Sequence, residues 1–306
     1  VIRGKEAELN ILITGSSGLV GSKLSSSLAQ NNHRVLHMVR KTPVSRDQVF
    51  WDPSSAKLDA GSLEGIDTVV HLAGESITGG RWTAEKKRRI RESRIKGTQL
   101  LSETLAGLSS PPKALISASA VGYYGDRGDE LLDENSSAGT GFLPDVCREW
   151  ETATEPASVN GIRVVILRIG IVISSSGGAL PQMLPVFRMG LGGKIGNGRQ
   201  YMSWISLADL TGIIEYAIRD ESLQGPVNAV SPDPVSNLTF AKTLGRVLSR
   251  PSVCMLPRFA ARLAFGEMAD ALLLASTRVQ PSRLLGLKFR FDFPTLDAAL
   301  QHTLRQ

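Results

Sequence analysis

"LNILITGSSGLVGSKLSSSLAQNNHRVLHMVR", residues 9–40, decides the fold. Leu9 to Gly15 is a short, continuous apolar run that stops on glycine, as a parallel strand covered on both faces does. Leu19, Val20, Leu24 and Leu28 then recur at helical spacing, Asn31 and Asn32 close the helix, and "RVLHMVR" reads as a second strand. A strand–helix–strand unit of about 30 residues is the context that gives a glycine motif meaning. Gly15, Gly18 and Gly21 fill that turn at G-x-x-G-x-x-G spacing. Each has a job: a tight turn off the strand, room for a pyrophosphate against backbone, and close packing of helix on sheet. The helix N-terminus supplies unpaired N–H groups to the phosphates. Gly15, Ser16, Ser17, Gly18, Leu19 and Val20 are therefore expected to line a dinucleotide.

The end of the second strand selects which dinucleotide. An acidic residue about 20 positions past the glycines would hold the ribose 2′-OH and repel a 2′-phosphate. Arg40 and Lys41 stand there instead, and two cations suit the 2′-phosphate of NADP(H).

Outward from this unit, "QVFWD" (48–52), "DTVVHLAG" (67–74), "KALISASA" (113–120) and "IRVVILRIGIVI" (162–173) read as strands. Helical stretches at 81–96 and 142–155 lie among them. The alternation predicts an α/β fold, a Rossmann-like doubly wound parallel sheet, with ligands at the carboxyl ends of the strands. The expected division is an NADP-binding domain over 9–232, with a glycine-rich lid at about 175–203, and a small, mainly helical substrate or partner domain over 233–306. Gly190, Gly192, Gly193, Gly196 and Gly198 are the lid glycines. "RMGLGGKIG" (188–196) is no P-loop, because Arg188 and Ile195 stand where glycine and Ser/Thr are needed.

Composition narrows the function. The stretch 81–96 holds eight basic and two acidic residues, which is the whole of the formal net charge of +6. With no aromatic interleaving it reads as a solvated helix face, and no nucleic-acid partner is expected. No apolar run reaches the roughly 18 residues of a membrane span, so no membrane partner is expected either. Cys147 and Cys254 each fall in apolar surroundings without metal-ligand spacing, so no metal site is read and a cytoplasmic or other reducing compartment is expected. The polar opening "VIRGKEAEL" is no signal peptide. The first residue is not methionine, so targeting information is expected to lie outside this numbering.

"TGSSGLVG", "HLAG", "SRIKGTQLL", "SASAVGYYGD", "LRIGIVI" and "GNGRQYMSWISLADL", in this order, resemble the extended, epimerase-like branch of the short-chain dehydrogenase/reductase superfamily. "CREWE", "LGGKIGNGRQ" and the tail "GEMADALLLAS" are similar to its atypical epimerase family protein subgroup, which carries a C-terminal domain of unknown function. The resemblance implies NADP(H) binding and extends the cofactor contacts to Leu72, Ala73, Gly74, Arg94, Ser117 and Arg168. In the superfamily a tyrosine, with a lysine four residues on, exchanges a proton with the substrate while hydride moves. Ser119 matches the accompanying serine. Leu143 and Cys147 fall at the tyrosine and lysine positions, so the standard pair is missing. Tyr123, Tyr124 and Glu75 are the remaining candidates for an acid. Two functions follow: an NADP(H)-dependent oxidoreductase or epimerase-like enzyme of non-standard site acting on an unknown small-molecule carbonyl or hydroxyl substrate, or a non-catalytic NADPH-binding regulatory or scaffold protein. The reading leaves room for a homodimer.

Overall fold

Asn10–Thr14 (β1) lies within an eight-stranded sheet in a computed structural model that describes residues 8–305. The opening residues 1–7 lie outside the described residues. Alternate β1 side chains serve opposite cores, Ile11 and Ile13 one face and Leu12 the other, which is why the run is apolar without a break. The next strands are Arg34–Val39 (β2), Gln48–Asp52 (β3), Lys57–Leu58 (β4), Thr68–His71 (β5) and Ala114–Ala120 (β6). The sheet order is Gly225–Ala229, Arg163–Ile169, β6, β5, β1, β2, β3, β4, parallel throughout except for β3 with β4. Strand order reverses between β1 and β5, so the crevice of the doubly wound sheet opens at their carboxyl ends.

Helices cover both faces. Leu19–Gln30 (α1) packs on one side, and Ala84–Ala106 (α2) on the other. Thr83 caps α2, its hydroxyl accepting from Lys86 N at 3.2 Å. Phe142–Thr152 (α3) follows, and the expected continuous 142–155 helix ends there, because a separate turn, Glu155–Val159 (α4), starts after Thr154 with Pro156 in its first positions. The apolar run 162–173 is likewise two strands. Its first part stays in the main sheet, whereas Ile171–Ile173 pairs with Trp204–Ser206. Gly170 makes the break, since a Cβ there would lie 2.8 Å from the Ser203 carbonyl oxygen.

The segment 175–203 has its own structure: Leu180–Arg188 (α5) is a helix, and Gly193–Ile195 pairs with Cys254–Leu256. Cys254 is exposed on that pairing, which corrects its expected apolar surroundings. Leu207–Arg219 (α6) shares the α1 face. Asn237–Val247 (α7) and the helix Leu296–Arg305 pack with α5. Arg258–Phe265 (α8) precedes a π-helical turn at Ala269–Leu274. The C-terminal part is not a detached body. Leu284 belongs to the core of the main sheet, with Phe289 and Phe291 packed against it.

A polar chain crosses the core beneath the crevice. Thr14 Oγ1 accepts from Leu72 N and Ala73 N, both at 3.1 Å, and lies 2.7 Å from His71 Nδ1. With both lone pairs engaged, the hydroxyl proton points to Nδ1, so His71 carries its proton on Nε2 and donates it to Thr98 Oγ1 at 2.9 Å. Trp150 Nε1 donates to the same oxygen at 2.9 Å. Burial pulls the His71 pKa down to about 4 from 6.5. The unfolded chain then binds the extra proton between those values, so this residue makes stability rise with pH across that window, by up to about 3 kcal/mol. Denaturant unfolding of the parent and of His71→Gln between pH 4.5 and 7 should give a steeper loss on acidification in the parent. Parallel curves would remove His71 from the buried, neutral state.

Candidate active site

Gly15 leaves β1 at φ +67°, and a Cβ on it would stand 2.9 Å from the Leu72 carbonyl carbon. At Gly21 the obstacle is closer, the Gly15 oxygen at 2.3 Å. Gly18 donates to that oxygen at 2.9 Å and occupies the N-cap of α1 with no side-chain cap. No acidic residue stands in the first turn, so nothing local neutralises the helix N-terminus. Ser17 and Gly18 are exposed, and Ser16, Leu19 and Val20 are half-buried. The result is an open cradle of backbone N–H groups, shaped for a pyrophosphate. Leu72 and Ala73, fixed by Thr14, form its opposite lip, and Gly177 covers it near Leu19. Arg40 and Lys41 are exposed beyond β2, and Arg40 is near enough to act on the charge of Glu75. The residues present fit a dinucleotide with a 2′-phosphate.

At the neighbouring strand end, Ser119 is buried and its hydroxyl donates to Glu151 Oε1 at 2.7 Å. Arg168, beside Ser119 in register, clasps the same carboxylate with Nε at 3.0 Å and Nη2 at 2.9 Å. Burial works against the Arg168 cation, but Glu151 outweighs it and raises its pKa. Arg168 Nη1 donates to the Tyr124 hydroxyl at 3.0 Å, and the guanidinium lies 3.5 Å over the Tyr123 ring. Arg168 is therefore a buried clamp behind Ser119. Sequence reasoning missed Glu151, Asn228 and Glu134, the partners that complete this cluster. The available signal was Glu151, four residues after Cys147 on the same helix face.

The acid candidates fall into place differently. Tyr124 is fully buried, its hydroxyl donating to Asn228 Oδ1 at 2.7 Å or the Asp133 carbonyl at 2.9 Å, and burial pushes its pKa up to about 12. Tyr123 is half-buried with its ring against Arg168. Glu75 sits across the crevice, where a 2.8 Å hydrogen bond from Lys86 holds its carboxyl below the usual range. Ser117 is buried in β6. Leu143 and Cys147 do flank the Ser119 strand end: a Cβ on Gly122 would meet Leu143 Cβ at 3.5 Å and Cys147 Sγ at 3.8 Å. Burial, with Glu151 nearby, pushes the Cys147 thiol up to about 12.

Above this face, Trp82, Ile90 and Met268 form a small core against which Phe142, Leu143 and Leu272 pack. The C-terminal π-helical turn thus packs over Leu143 through Leu272. Most basic residues of α2 are paired: Lys86 and Arg89 with Glu75, Arg88 with Glu85 and Glu92, Arg91 with Glu149, Lys96 with Glu92, and Lys87 with Glu267. Among the described residues no helix is long and apolar enough to cross a membrane, and no His, Cys, Asp and Glu group could hold a metal ion.

Comparison with known proteins agrees with the fold. The NAD dependent epimerase/dehydratase family profile matches residues 11–229, and a domain of unknown function, DUF1731, matches 256–303. The epimerase family protein Mb2239 of Mycobacterium bovis is 46% identical over 290 residues, covering 95% of this chain and 96% of its own. The crystal structure of human epimerase family protein SDR39U1 (isoform 2) with NADPH has a TM-score of 0.89 at 32% identity, covering 97% of this chain and 100% of the human one. That of a Corynebacterium glutamicum nucleoside-diphosphate sugar epimerase has a TM-score of 0.81 at 40% identity, covering 97% of this chain and 58% of that one.

The two thiols should separate cleanly. In native protein at pH 8 an aromatic disulfide reagent is expected to titrate Cys254 alone, and both cysteines once the chain is unfolded. Native modification of Cys147 at a comparable rate would show that its setting is neither buried nor apolar.

Proposed function

The chain belongs to the NAD dependent epimerase/dehydratase family, and we propose that it is an NADP(H)-dependent oxidoreductase or epimerase-like enzyme that handles a small carbonyl or hydroxyl substrate without a tyrosine–lysine pair. The observation that carries this reading is the meeting of the Gly15–Val20 cradle, the Arg40 and Lys41 cations and the Ser119–Glu151 hydrogen bond at one end of the sheet. The human relative crystallised with NADPH supports the same cofactor here. When bound, NADP(H) would supply or accept hydride. Gly15, Ser16, Ser17, Gly18, Leu19 and Val20 would hold its pyrophosphate, Arg40 and Lys41 its 2′-phosphate, and Leu72, Ala73 and Gly74 the far lip. The 175–203 segment would act as the cover, through the Gly177 contact on Leu19.

Ser119 already donates to Glu151, so its oxygen has lone pairs left to accept a substrate hydroxyl. In the oxidising direction the substrate proton passes to Ser119 Oγ while the Ser119 proton passes to Glu151. In the reducing direction both transfers reverse. Arg168 holds the carboxylate in place for this exchange and stabilises its charge. Tyr124 serves the clamp rather than the substrate, because its hydroxyl is already fully engaged.

A second reading, a non-catalytic NADPH-binding regulatory or scaffold protein, is favoured by one observation: the face beside Ser119 carries Leu143 and a Cys147 with no tendency to ionise. Turnover against a panel of aldehydes, ketones and secondary alcohols separates the two. Ser119→Ala should reduce turnover by about 100-fold or more while leaving NADPH affinity within twofold. NADPH saturation without turnover of any panel member would establish the second reading.

Calorimetry should find NADPH bound at least tenfold more tightly than NADH, since hydrogen bonds to charged groups contribute roughly 1.5–3 kcal/mol each. Arg40→Asp should abolish or reverse the preference. Equal affinities in the parent protein would refute the assignment of Arg40 and Lys41.

A further inference from the structure

Arg94 is the one candidate cofactor residue whose chemistry the preceding description leaves open. It projects from α2 beneath Gly74, where Arg94 Cζ and Nη2 lie 3.4 and 3.5 Å from the place a Cβ would take. Its guanidinium stacks over the Trp150 ring, 5.0 Å from the centroid. Arg94 Nη1 is held by two backbone carbonyls, Glu75 at 3.0 Å and Ile90 at 3.1 Å. Nε and Nη2, the other edge of the fork, have no hydrogen-bond partner among the described residues, and both keep access to solvent space rather than being sealed in.

Charge makes this edge unusual. No carboxylate lies within salt-bridge distance of Arg94 among the described residues. Glu92, two residues away, is taken by Arg88 and Lys96, and Glu75 is taken by Lys86 at 2.8 Å and Arg89 at 3.7 Å and offers Arg94 only its backbone carbonyl as a hydrogen-bond partner. Arg168, by contrast, is neutralised by Glu151. Desolvation lowers the Arg94 pKa, and the opposing pull of Cys147 and of the Glu75 charge does not offset it. Its electrostatic neighbour on the cleft side is the un-ionised Cys147, and Cys147 in turn touches Ser119. Arg94 on α2, Cys147 on α3 and Ser119 on β6 are thus successive neighbours.

We propose that the free Nε/Nη2 edge of Arg94 is a carboxylate subsite, so that the substrate is a small carboxylic acid whose reacting carbon lies toward Ser119. A planar two-donor edge matches the two oxygens of a carboxylate, and a single unpaired cation balances a single negative charge. The nearby Lys86 and Arg89 are engaged by Glu75, so the subsite has no second cation for a dianion. This deepens the oxidoreductase reading and rests on it for the placement of the reacting carbon.

The probe is oxamate, a monocarboxylate, with oxamide as its uncharged counterpart, titrated calorimetrically into protein saturated with NADP⁺. The parent should bind oxamate and not oxamide. Arg94→Gln should weaken oxamate at least tenfold with NADP⁺ affinity within twofold, and Arg94→Lys, which keeps the charge but not the fork, should fall between them. Absence of oxamate binding by the parent, equal binding of oxamide, or unchanged oxamate affinity in Arg94→Gln would each overturn the subsite. A tenfold loss of NADP⁺ affinity in Arg94→Gln with oxamate unaffected would assign the guanidinium to the cofactor and also overturn it. Where melting shows Arg94→Gln to be unfolded, Arg94→Lys decides: oxamate affinity equal to the parent's refutes the bidentate edge. Failure of the cofactor reading is distinguishable, because NADP⁺ would not bind the parent while oxamate titrated into cofactor-free protein would still report on Arg94.

Discussion

The Thr14 hydroxyl ties β1 to the chain leaving β5 through two backbone N–H groups and the His71 ring. These two strands are where the sheet order reverses, so the same three contacts fix the width of the crevice. From His71 the chain of hydrogen bonds reaches Thr98 on α2 and Trp150 on α3. One buried polar line therefore sets the cradle, the long charged helix and the helix beside Ser119 in mutual register. Because each of these side chains has a hydrogen-bond partner, the line favours one arrangement of the three elements.

The sheet's first half was legible because short-range physics writes it. Gly15 must adopt positive φ and Gly21 must clear a backbone oxygen, so both survive as glycines in a recognisable spacing. Arg40 and Lys41 were legible as well, since the end of β2 is fixed by the length of the strand–helix–strand unit. What the sequence hid were contacts between distant segments. Nothing local to Arg168 announces Glu151, or a ring face 3.5 Å away on Tyr123, so the clamp that Arg168 forms was not legible. Gly170 hid a strand break because its neighbours on both sides are apolar. Cys254 looked buried for the same reason, although it sits on an exposed strand.

The face around Leu143 is built by packing. Leu143 joins Trp82, Phe142, Met268 and Leu272 in a small apolar cluster beside the Ser119 strand end. Ser119 keeps a partner because Glu151 is held by Arg168, independently of residues 143 and 147. The cleft therefore combines an apolar roof with a charged, ordered floor.

The C-terminal segment also bears on how the molecule is made. Leu284, Phe289 and Phe291 fill part of the core under α1 and α6, and the Asp209 carboxylate at the start of α6 accepts from the backbone N–H groups of Asp292 at 2.6 Å and Phe293 at 3.2 Å. Domains commonly fold in order as they leave the ribosome. Here the N-terminal sheet is left with an open flank until residues 284–293 have emerged, so its last packing step waits for them. Until then the nascent chain displays an unfinished apolar surface, the kind of surface that chaperones hold.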